Sequence, residues 1–135
     1  ESEPRFAPEI PTVPGFLSEE AQAEWARVCV QLYNQGVLSQ VDRAALAAYC
    51  QAYGRWQQAE EALSLMGERD RVTKGMMIKT TNGNAVQNPL VGTANKAMAD
   101  MMRYATEFGM TPSARSRITA SMPDEDDPFG FLSQA

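Results

Sequence analysis

SQVDRAALAAYCQAYGRWQQAEEALSLMG, residues 39–67, carries the longest helical pattern in this 135-residue chain. Val41, Ala45, Tyr49, Ala52, Trp56, Ala59, Leu63 and Met66 recur at steps of three and four, which places them on one helical face. Ser39 with Asp42 three residues later resembles a capping box, and Gly67 offers a stop. A helix from Gln40 to Met66 would be about 40 Å long at 1.5 Å per residue, so it needs partners along its length. Gly54 lies in its middle at a cost of about 1 kcal/mol relative to alanine, which predicts a second backbone passing close beside it.

Working outward, Ser18 with Glu19 and Glu20 marks the start of an earlier helix whose Leu17, Ala21, Trp25, Val28 and Leu32 share a face, and Gly36 ends it. The two helices are expected to pack as an antiparallel or crossed pair. Residues 1–16 hold four prolines and a glycine, a composition for an extended arm. After the long helix, Val72 to Gln87 alternates as strands do, with Asn82 and Gly83 placed for a two-residue type I′ hairpin turn. Asn88 and Pro89 then give a cap and a first helical residue, and Leu90, Ala94, Ala97, Met98, Met101, Ala105 and Phe108 follow before Gly109 closes the segment. Thr111 and Pro112 repeat the signal for a short helix to about Ala120.

The expected fold is therefore mainly α: about four helices with one inserted β-hairpin. Its parts are an arm at 1–16, a helical core and oligomerisation domain at 17–121 with the hairpin at 72–87, and an acidic, flexible tail at 122–135. An isolated two-stranded ribbon is marginal in water, so this one is expected to lean on a neighbouring subunit.

The chain carries net charge −5, but Asp124, Glu125, Asp126 and Asp127 account for four negative charges, and the remainder stands at −1. Bulk electrostatics would not attract nucleic acid, so any such contact has to be local. There is no histidine, which removes imidazole from acid/base catalysis and metal binding, and there is no GxxxxGK[ST] phosphate loop. Cys29 and Cys50 sit in apolar helical patterns without CxxC spacing and suit buried, reduced thiols. No run approaches a membrane span. The expectation is a non-enzymatic protein with no cofactor and no metal. Position 1 is Glu rather than Met, which points to a processed chain or to an upstream segment.

Several stretches in this order resemble the terminase small subunits of tailed bacteriophages, in the branch commonly encoded beside an HNH endonuclease. They are PEIP at 8–11, the tryptophan helix around Trp25, GVLSQVD at 36–42, AAYCQAYGRW at 47–56, NGNAVQNPL at 82–90 and EFGMTPSARSR at 107–117. The resemblance spans residues 8 to 119. It implies a ring-forming homo-oligomer in the host bacterial cytoplasm that recognises double-stranded viral DNA. That ring would recruit and regulate the large subunit, which holds the ATPase and nuclease, and the HNH endonuclease is a further partner. It also implies a basic segment ahead of Glu1. Two other readings stay open: a DNA-binding regulator with a helix-turn-helix within Ser18 to Tyr53, and a structural virion adaptor.

Candidate DNA contacts are Arg115 and Arg117 on the final short helix, and Arg69, Arg71, Lys74 and Lys79 around the hairpin, where only Glu68 and Asp70 oppose them. Solvated faces with ion pairs are the competing reading for both groups. Met76, Met77 and Ile78 on the ribbon, and Met98, Met101 and Met102 spanning more than one helical face, are candidates for core and oligomer interface together. Trp25, Trp56, Tyr49 and Tyr53 lie on helical stripes and suit packing better than base stacking. Phe129, Phe131 and Leu132 behind the acidic run form a candidate docking peptide for the large subunit.

Overall fold

The structure, a computed structural model, describes residues 10–36, 38 and 43–110. In chain order it consists of α1 (Glu19–Asn34), α2 (Arg43–Glu68), β1 (Met77–Lys79), β2 (Ala85–Gln87) and α3 (Pro89–Glu107). The mainly helical class and the hairpin between the second and third helices agree with the sequence reading. Three helices rather than four are present among the described residues; the expected fourth, at 112–120, lies outside them.

The helix ends follow the chemistry of their cap residues. Ser18 Oγ accepts the amide of Ala21 at 3.2 Å, satisfying one of the unpaired first-turn donors of α1. At the other end Gly36, at φ +72°, returns its amide to the Tyr33 carbonyl at 3.0 Å. Helix α3 closes in the same manner with a fuller set of bonds: the Met110 amide donates to the Ala105 carbonyl at 2.9 Å and Gly109, at φ +70°, donates to Thr106. For α2 the expected capping residues 39–42 lie outside the described residues, and the helix is seen from Arg43.

Gly67 does not end α2, which continues to Glu68. Its lack of a side chain serves another purpose. A Cβ on Gly67 would stand 2.8 Å from the Lys74 carbonyl oxygen, and one on Gly75 would stand 3.1 Å from the Gly67 amide nitrogen. The chain reverses so tightly after α2 that it lies against the last helical turn, and two glycines make that approach possible.

Helix α1 lies against the first half of α2 in the opposite direction. The Ser18 amide meets Gln51 Oε1 at 3.1 Å, the Tyr49 hydroxyl meets Glu24 at 2.7 Å, and Gln58 reaches Glu20 at 3.0 Å. Gly54 is the point of closest approach, since a Cβ there would lie 2.6 Å from Ser18 Oγ and 3.1 Å from the Ala21 amide. Leu17, Trp25, Val28 and Leu32 fill the space together with Leu38, Leu46 and Cys50, and Ala105 and Phe108 at the end of α3 complete the core. Each fully buried Leu or Val contributes about 1.5–3 kcal/mol of apolar burial.

The buried set on α2 is wider than the predicted stripe, because α1 and α3 both pack on it. Leu46, Ala47 and Cys50 are buried in addition to Tyr49, Ala52 and Ala59. Trp56 is only partly buried, with its indole N–H on Glu60 at 3.1 Å and its ring edge-on to Tyr53. The buried prolines Pro11 and Pro14 lie ahead of α1, and Arg43 Nε donates to the Thr12 carbonyl at 2.7 Å.

Gly54→Val should cost about 1–3 kcal/mol by overpacking against Ser18 and Ala21. Gly92→Ala on α3, where a Cβ meets nothing within 4 Å, should instead gain up to about 1 kcal/mol of helix propensity. Urea melts of the two variants should shift in opposite directions, and a Gly54→Val protein as stable as the parent would contradict the packing described.

Candidate nucleic-acid and assembly surfaces

Everything between α2 and α3 is anchored at one buried side chain. Asn88 is 3 % exposed. Its Oδ1 accepts the Leu90 amide at 3.0 Å, which caps α3, while its Nδ2 donates to the Gly75 carbonyl at 2.8 Å and approaches Met66 Sδ at 3.3 Å. The Asn88 amide donates to Met76 at 2.8 Å, so the last turn of α2, the reversal and the base of the hairpin all meet at this residue. The cap was legible from the sequence; the cross-link through Nδ2 was not.

The reversal itself is organised by Asp70. Its carboxylate accepts the Thr73 hydroxyl and the amides of Val72, Thr73 and Gly75, the last three at 3.0–3.2 Å. These donors, the Thr73 hydroxyl foremost, hold the carboxyl at about 2, below the usual range. Lys74 at φ +56° and Gly75 at φ +85° are both left-handed, and they turn the chain back on α2.

The hairpin is shorter than the expected 72–87. Residues 71–75 belong to the reversal, and Met77, Ile78 and Lys79 pair with Gln87, Val86 and Ala85. Its turn also differs from the predicted type I′. Of Asn82 and Gly83 only Gly83 has positive φ, the Gly83 amide returns to Thr80 at 2.9 Å, and Thr80 pairs with Asn84 at 2.8 Å. The result is a three-residue loop with glycine at the left-handed position, which twists the ribbon without requiring Asn82 to leave ordinary φ.

Arg69, Arg71 and Lys74 are exposed within this reversal and Lys79 is exposed on β1. None of the four has an ion-pair partner among the described residues, whereas Arg27 pairs with Glu24, and Lys96 and Arg103 with Asp100. Residues 68–88 thus carry net +2 while the rest of the chain carries −7. Asp70 stays ionised, but its oxygens are taken up by amides and the Thr73 hydroxyl rather than by a basic side chain. Arg115 and Arg117 lie outside the described residues, as do Phe129, Phe131 and Leu132.

Exposed apolar side chains occur on the same segment as the cations: Met76 and Met77 on the ribbon, Leu65 near the end of α2 and Val72 in the reversal, the last two at 64 % and 91 %; Met98 and Met102 are exposed further along α3. Ile78 is partly buried, and Met101 packs onto the core instead. The proposed methionine group therefore divides, with Met101 in the core and Met98 and Met102 at the surface.

A buried polar cluster was missed by sequence reasoning. Glu24, 2 % exposed, accepts both Arg27 Nε and Nη2 at 2.7 and 2.6 Å and the Tyr49 hydroxyl at 2.7 Å. Burial, and then the bond to Glu24, raise the Tyr49 phenol above its ordinary value. Glu24 had no signal beyond its i, i+3 spacing to Arg27 and its position between Ala21 and Val28 on the apolar face. Cys29 and Cys50 are both buried, and desolvation pushes their thiols up to about 11 and 12. Among the described residues no three acidic or thiol side chains are grouped to hold a metal ion, and no helix is long and apolar enough to cross a membrane.

Asn88→Asp keeps the cap acceptor but leaves the Gly75 carbonyl facing an oxygen, and should cost about 1–3 kcal/mol by chemical denaturation. Asn88→Ala, which removes the cap as well, should cost more. The depressed pKa of Asp70 means that its contribution is full above the unfolded carboxyl value near 4 and is lost as pH falls towards about 2. An Asp70→Asn protein should therefore show a shallower loss of stability between pH 4 and pH 2 than the parent, measured by urea melts across that range.

A family model described as phage terminase, small subunit, matches residues 21–125, more than three quarters of the chain. No curated protein and no solved structure matches it. The match covers α1 from Ala21 onward, all of α2 and α3, and the hairpin, including the cationic reversal and the Asn88 joint. With its role in phage DNA packaging and its generally non-catalytic character, the phage terminase small-subunit family is the one to which this chain belongs.

Proposed function

We propose that copies of this chain close into a ring that recognises double-stranded viral DNA and recruits and regulates the large terminase subunit in the host cytoplasm, with an HNH endonuclease as a further partner. One observation carries the reading beyond family membership: the hairpin end of the α2–α3 pair gathers four cations with no ion-pair partner among the described residues, together with exposed Leu65, Val72, Met76 and Met77. Unpaired arginine and lysine suit phosphate contact, and a ring would multiply each into a circle of charge. The apolar side chains beside them suit burial against the next copy, and thioether side chains adapt to such a surface.

The alternative of a helix-turn-helix regulator has less support. In that motif the two helices cross steeply, whereas α1 packs antiparallel along α2 with Tyr49 and Cys50 buried beneath it. The virion-adaptor reading would share the apolar surface but has no use for the cations. Phe129, Phe131 and Leu132 are proposed as the peptide that meets the large subunit.

Replacing Arg69, Arg71, Lys74 and Lys79 by alanine should weaken duplex DNA binding. It should also flatten the plot of log K against log salt, by about 0.9 for each phosphate that is no longer neutralised. An unchanged slope would move the DNA-binding role to Arg115 and Arg117, to be tested by the same alanine substitutions there. Deleting the hairpin should lower the mass of the assembly in light scattering, and an unchanged mass would remove the ribbon from the interface.

A further inference from the structure

A trough runs along the seam between α2 and α3, bordered by Pro14 and Phe16 ahead of α1. Two adjoining hollows of about 530 and 360 Å³ share Ala52, Arg55 and Asp100 and form one continuous groove. Its floor is small, with Ala44, Ala47, Ala48 and Ala52 from α2 and Gly92 and Ala97 from α3. Phe16, 78 % exposed, stands with Tyr104 at one end.

The trough is basic. Arg43, Arg55 and Lys96 line it, with Asp100 as the one carboxylate, and Asp100 is already engaged by Lys96 at 2.8 Å and by Arg103 at 3.8 Å. An occupant that suits a small-residue floor, an aromatic mouth and this rim is an acidic segment with aromatic side chains. The chain contains one such segment, DEDDPFGFL at 124–132.

Its tether is favourable. The last described residue, Met110, packs on the same core as Tyr104, at the aromatic end of the trough. Thirteen residues, 111–123, separate Met110 from Asp124. They can span up to roughly 45 Å, whereas Arg43 to Arg55 along α2 is about 18 Å. A segment tethered at that distance has an effective concentration in the millimolar range, enough for a weak contact to be occupied.

We propose that the acidic–aromatic segment Asp124–Leu132 docks into the α2–α3 trough of its own chain, with its carboxylates along Arg43, Arg55 and Lys96 and a phenylalanine over the alanine floor. This rests on the trough and the tail alone. If the large subunit takes the same segment, as proposed above, it must first draw it out.

The test is photo-crosslinking in the full chain with Phe131→p-benzoylphenylalanine, followed by gel separation and peptide mapping. The expected result is a crosslink within one chain, on the tryptic fragment 44–55 or the fragment containing Tyr104. Arg55→Glu, in which the corresponding tryptic fragment becomes 44–69, should lower its yield about fivefold, within reach of one exposed ion pair. Asp124→Asn, Glu125→Gln, Asp126→Asn and Asp127→Asn together should do the same while leaving the described fold untouched. Crosslinks that join two chains, fall mainly on other fragments, or ignore both sets of substitutions would overturn the proposal. DNA binding and assembly mass are separate readouts, so loss of the packaging reading would not imitate any of these outcomes.

Discussion

Helix α2 has 26 residues and α1 has 16, and that difference in length decides how the rest of the chain is arranged. At 1.5 Å per residue α1 covers about 24 Å of a helix about 39 Å long. Where the two overlap, α2 is packed by both neighbouring helices and holds most of the core. Beyond Ala59 α1 no longer covers it, the neighbours are α3 and the reversal, and Leu65 and Met66 remain exposed. The half of α2 between the two helices supplies stability, while the half beyond α1 supplies surface. The joint at Asn88 makes the second half tenable, because it ties the end of α2, the reversal and the start of α3 without a large apolar core.

What the sequence disclosed and what it withheld divide along the same line. Signals that act within one or two turns were readable: Ser18 as a cap, Asn88 with Pro89 as a start, Gly36 and Gly109 as left-handed stops. Gly54 was also readable as a close approach, since an unexplained glycine in the middle of a helical stripe has few other purposes. Gly67 misled because the same residue type serves termination and close contact, and the two are told apart only by the position of Gly75, which is a tertiary fact. The predicted hairpin ran too long for a related reason. Val72 and Lys74 fit strand alternation, yet Asp70 had already captured their stretch of backbone for a reversal. Glu24 was invisible because a carboxylate is expected on the solvent face; its burial depends on Tyr49, 25 residues away. The candidate cations could be named from the sequence, but only the fold shows that, among the described residues, those near the hairpin go without acidic partners while Arg27, Lys96 and Arg103 of the helical body have them.

Pairing matters here more than net charge. A chain at −5 is a poor prospect for polyanion contact by its total alone, but the helical body occupies most of its own cations, Arg55 excepted. Arg27 is held by a buried glutamate, Lys96 and Arg103 by Asp100, and Arg43 by a backbone carbonyl. At the reversal the relation is inverted, since Asp70 is taken up by amides and a hydroxyl while the neighbouring basic side chains remain in solvent. Local matching of donors and acceptors thus produces a positive region on an acidic protein.

The two thiols buried where α1 meets α2, Cys29 on one and Cys50 on the other, have a practical bearing. With pKa values raised to about 11 and 12 by burial, fewer than roughly one in a thousand molecules carries either as a thiolate at neutral pH. Alkylating reagents and oxidants then reach Cys29 and Cys50 only when α1 lifts away from α2. The pair therefore serves as an intrinsic gauge of how often the helical body opens, readable without adding any foreign probe.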